Sequence, residues 1–411
     1  MGEVVAIMEV NQPGLYRDPF ETAPCGPLGI IAMPGCEMLG AKVNDYLMRW
    51  RDLKENNDAE LYTSPGYKRE SFLLDVSCPR FGTGEGKGLL RGSVRGYDIY
   101  IISDVTAYQI EYTMYGRQVP MSPDDHYQDL KRIIGAIRGK AQRINVIMPF
   151  LYESRQHRRT GRESMDCAMA LKELEAMGVT NIITFDAHDP RVQNAIPLTG
   201  FESVQPYYQV LKALLRNFPD LHLDKEHMTI ISPDEGAINR NIFYSSVLGL
   251  DLGIFYKRRD YSRVINGRNP IVAHEYLGDD ISGKDVLVSD DIISTGESVL
   301  DLSRELKRRN ANRIFIAGTF CFFTNGLDAF QKAYEEGAFC RVLGCNLNYL
   351  PQGLRDKEWF IEVDMSKYIS YIIATLNHDH SLHALLNPVD RISRLLDNYH
   401  KSQVERGIVT E

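Results

Sequence analysis

The chain has 411 residues, of which 44% are hydrophobic and 25% charged, with a formal net charge of −8. That length exceeds one ordinary domain and predicts two, each large enough to bury a core, while the acidic balance excludes a general nucleic-acid binder. Seven cysteines (25, 36, 78, 167, 321, 340 and 345) form no Cys-x-x-Cys pair and no zinc-like spacing, which fits reduced thiols better than a disulfide framework. With no signal-like segment and no apolar run of membrane-spanning length, a soluble, cytoplasmic protein away from membranes is expected.

Residues 1–25 are polar and irregular, with Pro13, Gly14 and Pro24. From Leu28 onward, β-forming runs predict strands over 28–33, 97–105, 144–150, 181–188, 228–234, 252–257, 285–291 and 313–320. Helical patterns lie between several of them, as at 165–178 and 299–310. Alternation of this kind predicts an α/β fold with mostly parallel sheets flanked by helices. The predicted strands end in polar or charged residues, where open α/β sheets bind ligands. Three prolines over 189–206 mark a boundary, giving an N-terminal domain at 26–195, a C-terminal domain at 196–385 and a polar, partly helical tail at 386–411. The stretches 111–128 and 260–280 read as surface excursions, the second as a lid.

The segment 284–298, Lys-Asp-Val-Leu-Val-Ser-Asp-Asp-Ile-Ile-Ser-Thr-Gly-Glu-Ser, carries the sharpest signal. Val286, Leu287 and Val288 read as a buried strand, and Val299, Leu302 and Leu306 begin an amphipathic helix. Unpaired N–H groups at a helix start collect phosphate, whereas the adjacent carboxylates of Asp290 and Asp291 suit sugar hydroxyls or a metal. A ligand with both ribose hydroxyls and a phosphate satisfies the whole turn. The plain structural alternative is a capped helix start, with Ser294 or Thr295 as N-cap and Glu297 in the first turn. Basic clusters at 154–162 and 256–263 suit anionic small molecules, and each standing alone reads first as a solvated face.

Six segments in order extend that signal over residues 80–385. They are "RFGTGEGKGLLRGSVRGYDIYII" (80–102), "MPFLYESRQHRRTGRES" (148–164), "TFDAHDPRVQNAI" (184–196), "ISPDEGAINR" (231–240) followed by "YKRR" (256–259), "DDIISTGES" (290–298) and "GTFCFFTNG" (318–326). Together they resemble the ribose-phosphate diphosphokinase (PRPP synthase) family. The resemblance implies two tandem type I phosphoribosyltransferase-like domains, each a mostly parallel sheet flanked by helices. It also implies transfer of the β,γ-diphosphoryl group of ATP to the anomeric hydroxyl of ribose 5-phosphate, giving PRPP and AMP, with Mg²⁺ as cofactor.

Carried over motif by motif, the resemblance makes Lys257 and Arg259 the catalytic cations. Phe81, Glu85, Arg155, Gln156 and His188 become ATP-binding residues, and His188 with Asp234 metal ligands. Asp290, Asp291, Ser294, Thr295, Gly296 and Ser298 then bind ribose 5-phosphate. A homo-oligomer built from dimers, as a hexamer, is implied because the family's adenine site is shared between chains. This sequence departs from the pattern at Thr83, Ser294, Glu297 and His157, three of them where an acid is usual and Glu297 where a small residue is. Those departures keep two alternatives open: a catalytically silent regulatory or nucleotide-binding subunit, and a phosphoribosyltransferase using only the 290–298 loop.

Overall fold

Two units account for the chain in the computed structural model, which describes residues 20, 22–55, 66–137, 139–259 and 271–408. One comprises residues 1–205 and 365–388, the other 206–364 and 389–411. Among the described residues no helix is long and apolar enough to cross a membrane.

The first unit is built on β1 (Leu28–Ala32), followed by α1 (Glu37–Glu55) and a short antiparallel pair, β2 (Val76–Ser77) and β3 (Leu89–Leu90). Next come β4 (Asp98–Ile102), a hairpin of β5 (Glu111–Met114) and β6 (Arg117–Pro120), α2 (Pro123–Ile137) and β7 (Arg143–Ile147). The sequence expected 111–128 as a surface excursion, and β5 and β6 are largely exposed. Alternating exposure along Glu111–Met114 gives that excursion the form of a hairpin, and Pro123 opens the helix that follows. The unit continues with α3 (Asp166–Ala176), β8 (Asn181–Phe185) and β9 (Gly200–Val204). The sheet order is β1-β4-β7-β8-β9, every pair parallel. All residues of β4 are buried, as expected of a strand covered on both faces.

The second unit opens with α4 (Tyr207–Asn217), β10 (Met228–Ser232), α5 (Ile238–Leu248), β11 (Asp251–Arg259) and β12 (Ile271–Leu277). It proceeds through β13 (Asp285–Ile293), α6 (Glu297–Arg308), β14 (Ile314–Cys321), α7 (Asp328–Glu335), β15 (Arg341–Cys345) and β16 (Phe360–Val363). The order is β12-β11-β10-β13-β14-β15-β16, parallel except for β12, which runs antiparallel to β11 at the edge. Val286, Val288, Ile314 and Ile316 pack beneath Leu302 and Leu306 of α6, with Phe330 and Trp359 in the same core. Of the expected lid at 260–280, residues 260–270 lie outside the described residues, and 271–277 form the edge strand.

The boundary differs from the expectation at 195/196 because β9 pairs with β8, so the first unit runs to Gln205. The C-terminal stretch differs more. Helix α8 (Ser366–Asn377) returns to the first unit, where the fully buried Asp98 carboxylate accepts from Asn377 Nδ2 (2.9 Å), Asn145 Nδ2 (2.9 Å), Tyr100 (2.9 Å) and Arg143 (2.7 Å). Arg51 closes the network by donating to Asn377 Oδ1 at 2.8 Å. A buried carboxylate is stable only with such complete pairing, and that need draws α8 back across the chain. After α9 (His383–Leu386), the expected tail is the helix α10 (Val389–Glu405), bound to the second unit. There Tyr399 donates to the carbonyls of Phe218 and Leu221, and Gln403 to those of Pro219 and Leu221.

Candidate active site

Strand β13 is buried from Asp285 to Ser289 and surfaces at Asp290, where its residues become polar. Its register puts Gly253, Ile231 and Val288 at one level of the sheet. Asp234, Asp290 and Lys257 all lie a few residues beyond that level, so they emerge at the C-terminal edge, the ligand side of a parallel sheet. A cleft of about 170 Å³ opens there, lined by Pro233, Asp234, Asp290, Ile292, Ile293, Ser294, Thr295, Gly296 and Ser298.

The turn between β13 and α6 is set by Gly296, which has φ +87° and an added Cβ of which would collide with the ring of Phe330. Both facts require glycine. Because Gly296 itself is the N-cap, no cap side chain closes the helix. This corrects the capped-helix alternative: neither Ser294 nor Thr295 is the N-cap, although the Thr295 hydroxyl accepts from the Glu297 N–H at a long 3.4 Å. First-turn N–H groups thus remain for an anion. The loop is fixed from β14 by Phe322 N–H to Ile293 O (2.8 Å) and Thr324 N–H to Ser294 O (3.0 Å). Glu297, the departure nearest a phosphate position, is exposed and outside the cleft lining.

Two residues without an assigned role in the sequence reading hold the carboxylates in place. Asn241 is fully buried on α5, donating to Ser289 O (2.8 Å) and accepting from Ser289 N–H (3.3 Å), one residue before the acidic pair. Arg240 brings its guanidinium 3.9 Å from the Asp290 carboxylate. A polar residue at helical spacing from the buried Tyr244 and Leu248 is the signal that could have revealed Asn241. On the other side of the cleft, Asp234 Oδ1 accepts from the N–H groups of Gly236 (2.9 Å) and Ala237 (3.2 Å), which fixes that carboxylate ahead of α5.

Burial pushes the Asp290 carboxyl well above the ordinary carboxylate range, the neighbouring Asp291 pushes it further, and Asp234 adds to the same effect. Arg240 opposes the rise. The Asp291 N–H donates to Asp290 Oδ1 at 2.9 Å, so the pair is held as a unit. Crowded carboxylates at a sheet edge can bind sugar hydroxyls or share a hard cation.

The first unit carries a second cluster at the ends of β7 and β8, which pair through Ile147 and Ile183. After β7, Arg155 is exposed, the Gln156 side chain donates to Ser164 O (2.9 Å), and His157 contacts Asp189 (3.6 Å). After β8, the exposed His188 sits with its ring 5.2 Å from that of His157. The structure therefore brings Gln156, His157 and His188 into one neighbourhood, with His157 a member that the sequence noted only as a departure. Hydrogen bonds from Arg191 hold the Asp189 carboxyl at about 2. Phe81 is 54% exposed, so its ring is not part of the core. Its N–H donates to Glu85 O (2.7 Å), closing a tight turn in which the Thr83 hydroxyl donates to the Glu85 carboxylate (2.9 Å).

Of the expected residues, Asp234, Asp290, Ser294, Thr295, Gly296 and Ser298 line one cleft, and Asp291 follows on the same strand. Lys257 and Arg259 lie on β11 of the same sheet, where only their backbone is described. His188 belongs to the first unit and Asp234 to the second.

A strand ending in paired carboxylates, a hydroxyl-rich glycine turn and an uncapped helix start together offer oxygen acceptors and N–H donors at the C-terminal edge of a parallel sheet. Residues 202–336 match the model of the phosphoribosyl transferase domain, and residues 28–178 match that of the N-terminal domain of ribose phosphate pyrophosphokinase. The chain belongs to the ribose-phosphate pyrophosphokinase (PRPP synthase) family. The Vibrio cholerae ribose-phosphate pyrophosphokinase is 25% identical over 321 residues, 77% of this chain and 92% of that enzyme. The Ureaplasma parvum ribose-phosphate pyrophosphokinase is 28% identical over 216 residues, 52% of this chain and 62% of that enzyme. The phosphoribosylpyrophosphate synthetase structure from Mycobacterium smegmatis has the same fold, with a TM-score of 0.64 and 19% identity, covering 85% of this chain and 98% of that one.

Proposed function

We infer that the protein is a ribose-phosphate diphosphokinase, transferring the β,γ-diphosphoryl group of ATP to the anomeric hydroxyl of ribose 5-phosphate. The observation that carries this reading is the β13–α6 cleft, where the Asp290 carboxylate and the Ser294–Ser298 turn line one space. Carboxylates of Asp290 and Asp291 accept hydrogen bonds from the ribose 2- and 3-hydroxyls. Thr295, Ser298 and the helix-start N–H groups receive the 5-phosphate, leaving the anomeric hydroxyl facing out of the turn.

The donors present fit Mg²⁺: Asp234 and Asp290 offer hard oxygen ligands, and burial, then the neighbouring Asp291, makes the Asp290 charge costly in a way that a cation relieves. On this reading Asp234 is a ligand of the ion. When bound, Mg²⁺ neutralises charge on the transferred diphosphoryl group. Lys257 and Arg259 bind the diphosphoryl oxygens where charge builds, and Arg155 and Gln156 bind ATP. The exposed Phe81 ring stacks on adenine, supplied across a subunit boundary in a dimer-based oligomer.

Incubation of the purified protein with ATP, Mg²⁺ and ribose 5-phosphate tests the assignment, with AMP and PRPP expected in equal amounts. Binding of both substrates without turnover overturns it in favour of a regulatory subunit. Consumption of PRPP with a free base overturns it in favour of a phosphoribosyltransferase.

A further inference from the structure

At the opposite end of β10 from Asp234, the loop entering the strand carries a group that the reaction does not use. One donor atom each from His222, Asp224 and His227 lie within 4.8 Å of one another. The imidazole rings of His222 and His227 are 4.9 Å apart between centroids, tilted by 35°. The His227 ring bonds through Nδ1 to the Asp224 carboxylate, at 2.7 and 2.9 Å to its two oxygens. With its proton on Nδ1, the ring keeps the Nε2 lone pair for a cation, the carboxylate–histidine arrangement that orients and strengthens histidine ligands. Among the described residues, this is the one group of three or more such side chains so placed.

We propose that His222, Asp224 and His227 form a surface site for a divalent transition-metal cation of the zinc class. The loop is already held in shape, which keeps the ordering cost of binding small. Asp224 Oδ1 accepts from the N–H groups of Glu226 (2.9 Å) and His227 (3.0 Å). Lys225 pairs with Asp251 at 3.0 Å, and His227 O accepts from the Asp285 N–H at 2.7 Å. Just upstream, Leu221 O is gripped by Tyr399 and Gln403 of α10. Zinc bonds of about 2.0–2.2 Å draw the two imidazole nitrogens to roughly 3.3 Å apart, a contraction that rotation of the half-exposed His227 accommodates, with Asp224 orienting the ring through Nδ1. Two imidazoles select a borderline transition metal over Mg²⁺, which prefers oxygen donors, so this site is chemically distinct from the Asp234–Asp290 cleft. Water completes the coordination. The site is a staple that ties the α4–β10 loop to itself beneath the α10 brace.

The test is a Zn²⁺ titration of the full chain against a chromophoric chelator, comparing the wild type with the His222→Gln/His227→Gln double variant. The wild type is expected to bind one more equivalent than the variant, and Asp224→Asn to weaken that equivalent about 10- to 100-fold. Identical stoichiometry and affinity in the wild type and the double variant overturns the proposal. Independently of any substitution, Zn²⁺ should shield His222 and His227 of the wild-type protein from diethylpyrocarbonate, mapped by peptide mass. Unchanged modification at saturating Zn²⁺ overturns the proposal equally, whatever the state of the reaction centre.

Discussion

Asn241 forms a two-way hydrogen-bonded pair with the backbone of Ser289, giving its amide N–H to the carbonyl at 2.8 Å and accepting from the Ser289 N–H at 3.3 Å. The clamp fixes β13 to α5 one residue before the strand leaves the core and presents Asp290. Position of the acidic pair is thus governed by a side chain on a different element, itself fully buried.

Replacing Asn241 with Leu preserves volume but strands two buried backbone groups. The expected cost is about 1–3 kcal/mol of stability, read by denaturant unfolding. The KM for ribose 5-phosphate should rise more than kcat falls, because the change loosens sugar positioning. An unchanged KM would show that β13 holds its place without the clamp.

Gly296→Ala forces a Cβ into the Phe330 ring at a left-handed backbone position. The conformational part alone costs roughly 1–2 kcal/mol, and the turn must open to relieve the contact. Lower thermal stability together with weakened ribose 5-phosphate binding is expected, measured by calorimetry. Loss of stability with phosphate affinity intact would separate the glycine from the anion site.

Asp290→Asn should stabilise the metal-free protein at neutral pH while abolishing turnover. Burial, then Asp291, raises the folded-state carboxyl of Asp290 above its unfolded value. The folded state therefore binds more protons than the unfolded chain from about pH 4 upward, and stability falls as pH rises through that window. The asparagine removes this slope. Thermal unfolding from pH 4 to pH 8 checks it, and parallel curves for the two proteins would contradict the sign.

Lys257→Ala is expected to eliminate diphosphoryl transfer and leave ribose 5-phosphate affinity nearly unchanged, since the sugar is held at 290–298. Equal losses in both would remove Lys257 from the transition-state role.

Asn377→Ala deprives buried Asp98 of one donor and Arg51 of one acceptor. A loss of about 1.5–3 kcal/mol is expected for a bond to a charged group. Hydrogen exchange should rise in β1, β4 and β7 of the first unit, and an effect confined to α8 would mean the network is not shared.

Much of this protein was legible in its sequence because its chemistry is local. The run Val286–Val288, the pair Asp290–Asp291 and the turn Ser294–Ser298 are contiguous, so strand, cleft and helix start follow from residue types in order. Parallel sheets could be read from alternation alone, and the core strands β1, β4, β7, β8, β10, β13 and β14 lie where apolar runs placed them. The edge strand β9, with its Gly-Phe-Glu-Ser-Val sequence, gave no such run, because pairing with β8 rather than composition makes it a strand.

Long-range pairing decided the rest. That residues 365–388 belong with the first unit follows from Asn377, 279 residues away, adding its amide to the donors that Asn145, Tyr100 and Arg143 give the buried Asp98. That the helix over 389–405 packs on the second unit follows from Tyr399 and Gln403 finding the carbonyls of residues 218–221. Asn241 and Ser289, and the group His222, Asp224 and His227, likewise acquire meaning only when folding sets distances. Sequence spacing specifies which groups a segment offers; burial and the demand that every buried polar group find a partner specify which of them meet.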